Sequence, residues 1–150
     1  MNTNSDNPRI GKNFELLVKQ WFEKEYKQHF ELHKKIKIGN PPKDHCFDIA
    51  NEMNTIVVEC KCYTWTETGN VPSAKLAYIN EAVLYLLHLP TNVEKFVVLP
   101  KINTEKRKES LAEYYYKRYY NLLHCVKIME YDSVTIDMHI ISKSCHCETD

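Results

Sequence analysis

Along "GKNFELLVKQWFEKEY" the apolar residues Phe14, Leu17, Val18, Trp21 and Phe22 recur at i, i+3, i+4, i+7 and i+8. This is the stripe of one helix face, and it predicts a helix of about four turns. "FELHKKIKIG" then reads as a strand ending at Gly39, and the paired prolines of "NPPKD" mark a loop. Two further runs, "HCFDIA" and "TIVVECKCY", are joined by the polar "NEMN", which suits an antiparallel hairpin. After the Gly69- and Pro72-bearing loop "TWTETGNVP", helical spacing returns at Leu76, Ile79, Val83, Leu86 and Leu87. Ser73 is its expected N-cap and Pro90 its stop. "KFVVLP" is a short apolar strand, "TEKRKESLAEYYYKRYYNLL" a third helix, and "CVKIMEY" and "VTIDMHIIS" two last strands.

The order helix, three strands, helix, strand, helix, two strands predicts a mixed β-sheet covered by helices, an α/β sandwich. Residues 1–150 are long enough for one domain with a sizeable core. No internal repeat interrupts them, and "KSCHCETD" at 143–150 is expected to be a frayed tail. Apolar residues make up 43% and charged residues 27%, an ordinary globular composition with no run long enough to span a membrane. The polar "MNTNSDNPRI" lacks the layout of a secretory signal, so a cytoplasmic protein with reduced cysteines is expected. Twenty basic residues balance twenty acidic ones, so any polyanion has to be held by a local patch.

Candidate chemistry gathers in the hairpin. Side chains alternate along a strand, so Glu59 and Lys61 project together, away from Val58, Cys60 and Cys62. A turn at 51–54 brings Asp48 near the level of Val57 to Glu59. Two carboxylates and an ammonium are the parts that phosphodiester hydrolysis with a hard divalent cation uses. The bland alternative is an i, i+2 charge pair on a solvated strand, against which the apolar "TIVV" argues.

Asp48, ten residues, then Glu59-Cys60-Lys61, carried in that element order, resembles the PD-(D/E)XK nuclease superfamily, which has the restriction-endonuclease-like fold. The resemblance covers roughly residues 10–100, with 101–142 as a C-terminal extension. It departs from the pattern in one place, where Phe47 stands before the aspartate instead of proline. The resemblance implies a metal-dependent endonuclease acting on DNA, of restriction or repair type. Asp48, Glu59 and the Cys60 carbonyl would hold Mg²⁺ or Mn²⁺, Lys61 would position water, and Glu15 on the first helix would join the acidic cluster, through water. A homodimer would serve double-strand cleavage. For Glu15 the alternative is an i, i+4 pair with Lys19.

Other residues carry weaker signals. Lys75, and Tyr116, Lys117 and Tyr120 outside the stripe formed by Leu111, Tyr115, Tyr119 and Leu122, are candidate nucleic-acid contacts, since tyrosines stack on bases and lysines meet phosphates. "HKKIK" and the "KRK" at 106–108 are possible phosphate-facing patches. Cys60 and Cys62 with Cys145, His146 and Cys147 are a rival zinc set, although a C-x-C inside a strand more often packs as small apolar side chains. The competing functional readings are a structure-specific or RNA-directed nuclease and a catalytically silent nucleic-acid-binding or zinc-stabilised module.

Overall fold

The computed structural model of the chain describes residues 7–142. The tail at 143–150, with Cys145, His146 and Cys147, lies outside the described residues. Ten elements follow one another: α1 (Asn7–Tyr26), β1 (Phe30–Ile38), β2 (Lys43–Asn51), β3 (Ile56–Cys60), α2 (Ser73–Leu87), β4 (Glu94–Pro100), α3 (Leu111–Tyr119), a 3₁₀ turn (Tyr120–Leu122), β5 (Val126–Asp132) and β6 (Asp137–Ile140). All six strands form one mixed sheet in chain order. Pairing is antiparallel from β1 to β3, parallel from β3 to β5 and antiparallel again at β6. Among the described residues no helix is long and apolar enough to cross a membrane.

Two parallel connections in the same direction along a sheet, made with the same hand, place both crossover helices on one face. Accordingly α2 and α3 cover one side, where Leu76, Ile79, Leu86, Leu111 and Tyr115 pack on Val57, Val97, Leu99 and Ile128. α1 covers the other, with Phe14, Val18 and Phe22 against Phe30, Ile49, Val58, Phe96 and Met129. The buried stripe of α1 is narrower than its sequence pattern, because Leu17 stays 41% exposed.

Asn51 fixes the β2–β3 turn. Its side-chain oxygen accepts from the Thr55 and Ile56 N–H groups, and its amide donates to Gln28 and to the Thr55 hydroxyl. Asn54 takes the left-handed conformation and donates its N–H to the Asn51 carbonyl. The turn sets the register Ile49 to Val58 and Ala50 to Val57, which carried one step further faces Asp48 with Glu59.

Several boundaries differ from the sequence reading. Ser73 does not cap α2: Pro72 holds the N-cap position with no side-chain cap bond, and Ser73 is already helical. The third helix begins at Leu111 and not near Thr104, because Ser110 and Glu113 form a reciprocal capping box. Its stripe ends early, since the chain tightens to a 3₁₀ turn and leaves Leu122 57% exposed. β3 stops at Cys60, although the Lys61 N–H still donates to the Val98 carbonyl of β4.

Candidate active site at the β2–β3 fork

β2 and β3 stay paired only through Ile49 and Val58, whereas β1 and β2 remain paired out to Ile38 and Lys43. The β1–β2 arm therefore leaves the sheet at Asp48, and a fork opens between it and β3. At the fork a carboxylate takes the place of a main-chain rung: Asp48 Oδ2 accepts the Cys60 N–H at 2.7 Å. Strict alternation breaks there too, since Phe47 and Ala50 both pack under α2 while Ile49 faces α1. Opposite on β1, His33 takes a left-handed φ of 52°. A local break of this kind re-aims a side chain.

Glu59 shares the Asp48 side of the fork and is buried. The two carboxyls lie within hydrogen-bonding reach of one another. Burial above all, then the Asp48 charge and that hydrogen bond, push the Glu59 carboxyl up to about 9. Two adjacent carboxyls in a desolvated place do not both ionise unless something positive joins them. Without a cation, the pair is held by a proton.

Glu15 approaches Asp48 from α1. Its carboxyl is raised by burial and by Asp48, against the lowering effect of a 2.7 Å hydrogen bond with His33 Nε2. The alternative pairing with Lys19 is not formed, because Lys19 pairs with Glu23.

Lys61 lines the mouth of the fork, a cavity of about 280 Å³ between the sheet and α2. Among the described residues its ammonium has no ion-pair partner, although it lies close enough to Glu59 to lower that carboxyl. Lys75 does not line this cavity itself but lies 4.6 Å above the ring of Tyr63, which does. The Cys60 thiol points the other way into the α1 core, and burial keeps it protonated. Its main chain faces the fork: N–H and C=O of one strand residue point the same way, and the N–H is held by Asp48.

Sequence reasoning missed His45 and Tyr85. His45 lies on the β1–β2 arm with its Nε2 3.4 Å from Glu59 Oε1, and its ring stacks on Tyr85 of α2 at 3.7 Å. Desolvation lowers its basicity most, so the neutral ring is favoured. Strand parity gave no signal for it, because regular alternation sets His45 and Asp48 on opposite faces and they share the cleft only where that alternation breaks.

The remaining candidates go elsewhere. Tyr116, Lys117 and Tyr120 do not reach the fork and line a second cavity between α3 and β5–β6. In the "KRK" run, Lys106 and Arg107 bind the carbonyls of Glu67 and Gly69, and Arg107 covers Trp65 at 4.3 Å, so they clamp the 64–72 loop. Gly69 is required there, with φ 81° and the Lys106 side chain 3.0 Å from where a Cβ would sit. In "HKKIK", Lys34 binds the carbonyls of Asn51 and Glu52, and Lys37 pairs with Asp44.

Among the described residues no three His, Cys, Asp or Glu side chains form a ready-made metal cage. The donor set at the fork is a carboxyl pair and a main-chain carbonyl, which suits a hard cation that keeps part of its water and takes further oxygens from a phosphate. No protein-family model, curated protein or solved structure matches the chain significantly.

Proposed function

We propose that the chain is a divalent-metal-dependent endonuclease hydrolysing DNA phosphodiesters, of the PD-(D/E)XK type and with the restriction-endonuclease-like fold. One observation carries the reading: Glu59 is buried beside Asp48 at the mouth of an open cleft, with Lys61 at the rim. A solvated charge pair on a strand surface would not bury one carboxyl against another. The element order of α1 to β4 supports the same reading.

Asp48, Glu59 and the Cys60 carbonyl would hold Mg²⁺ or Mn²⁺, with Glu15 joined to them through Asp48 or water. When bound, such a cation acts as a Lewis acid on a phosphoryl oxygen and favours hydroxide at neutral pH. Lys61 orients the attacking water and offsets phosphorane charge, and Lys75 holds the phosphate from beside Tyr63. His45, stacked on Tyr85, keeps Glu59 turned toward Asp48. Cutting both strands with one site per chain calls for two chains.

The experiment is incubation of the protein with supercoiled plasmid, linear duplex, single-stranded and branched DNA, and structured RNA, with Mg²⁺ or Mn²⁺, beside Asp48→Ala and Lys61→Ala. Metal-dependent cleavage by the wild type and a loss of at least about a hundredfold in each variant are expected. If wild type and variants behave alike on every substrate, the reading fails in favour of a silent nucleic-acid-binding module. Preference for RNA or branched DNA would reassign the substrate alone.

A further inference from the structure

α2 turns one row of side chains toward the fork. Lys75, Tyr78, Ala82 and Tyr85 follow at i, i+3, i+7 and i+10, the spacing of one helix face. Tyr78, Ala82 and Tyr85 line the cavity beside Tyr63, and Lys75 stands outside it, over the Tyr63 ring. Tyr85 is engaged by its stack on His45 at 3.7 Å. Tyr78 is 51% exposed, and the ring nearest to it, Tyr63, is tilted at 45° with the centroids 6.3 Å apart. A half-exposed ring on a cavity wall, tilted against its neighbour and not stacked on it, keeps a face open for a flat ligand.

The charges around that ring are ordered. Along α2, Lys75 precedes Tyr78 by about one turn and Glu81, which also lines the cavity, follows it by about one turn. Lys61 adds a second ammonium at the rim, and among the described residues neither lysine pairs with a carboxylate.

We propose that the cleft takes a single DNA strand in preference to a duplex, with an unpaired base stacked on the open face of Tyr78 and its phosphodiester held by Lys61 and Lys75. Aromatic rings set beside cations bind single strands, since every base has a face to stack and the lysines meet the backbone. In a duplex those faces are covered by the neighbouring base pairs. Glu81 works in the same direction, because its carboxylate repels the phosphates of a complementary strand. Tyr78 is thus a specificity-determining residue: it touches a base and not the reacting phosphorus. The substrate assignment rests on the hydrolytic reading above, and the binding itself does not.

The test is fluorescence anisotropy of the full chain, in chelator so that no cleavage occurs. The probes are a labelled single strand of mixed sequence, the same sequence as a duplex, and an abasic strand of the same length. The single strand is expected to bind at least about tenfold more tightly than either of the others. Tyr78→Ala is expected to lose at least about fivefold on the single strand and nothing on the abasic one, and Tyr78→Trp to keep the wild-type affinity or exceed it. Thermal unfolding checks that both variants fold. In Mg²⁺, Tyr78→Ala is expected to raise KM by at least about fivefold and to leave kcat within about twofold, because the ring binds substrate and transition state alike. Equal binding of duplex or of the abasic strand, no saturable binding, unaltered binding by Tyr78→Ala, or a loss in Tyr78→Trp would each overturn the inference. Preference for the single strand without cleavage sinks only the hydrolytic reading, and cleavage without that preference sinks only this one.

Discussion

Glu59→Gln is expected to make the metal-free protein more stable while abolishing its chemistry. In the unfolded chain a glutamate titrates near about 4.3. In the fold, burial and Asp48 hold Glu59 up to about 9. The folded state thus carries a proton that the unfolded state has released, so stability falls as pH rises between these two values and is level outside them. The slope is at most about 1.4 kcal/mol per pH unit, so the ceiling at pH 8 is about 5 kcal/mol. Water reaching the open cleft and side-chain relaxation reduce this to on the order of 2 kcal/mol. Glutamine does not titrate and keeps the shape and a donor toward Asp48. In chelator, the variant is expected to melt together with the wild type near pH 4 and about 6 °C above it near pH 8. Saturating Mg²⁺ then raises the wild type more than the variant. Superimposable melting curves of the two proteins across the pH range, with and without metal, would refute the assignment of Glu59 as the proton-holding partner of Asp48.

Three other outcomes are expected. Mg²⁺ or Mn²⁺ affinity, measured by calorimetry, falls by up to about tenfold per pH unit on acidification, because the cation displaces the proton shared at the fork; a flat profile counts against the shared proton. Asn51→Ala leaves the Thr55 and Ile56 N–H groups without their acceptor and costs about 2–3 kcal/mol in urea unfolding, so a loss under half a kilocalorie would count against the turn's role. Ser110→Ala breaks the capping box and costs about 1 kcal/mol while metal affinity at the fork stays unchanged, and altered metal affinity would contradict the separation of α3 from the cleft.

The element order was legible because each run carried its own period, as with Phe14, Val18 and Phe22 in α1 or Val57 and Val58 in β3. Asp48 and Glu59 were legible as neighbours because one tight turn joins their strands, so only local counting was needed. The start of α3 was misread because residues 104–110 are all polar and carry no apolar period that would mark a boundary, although "SLAE" contained the cap that marks the true start. His45 and Tyr85 were not legible together. They meet only because the β1–β2 arm swings away from β3 toward α2, a tertiary event that no local period encodes. The tyrosines of α3 were legible as polar-face residues, but what they face depends on Glu130 and His139 of the distant hairpin.

The knot at Asn51 has an evolutionary consequence. Substitutions along β2 and β3 alter the cleft by degrees, but a single-residue insertion or deletion between Asn51 and Ile56 turns one strand over relative to the other. Asp48 and Glu59 would then look out from opposite surfaces. The spacing between them is therefore inherited as a fixed length.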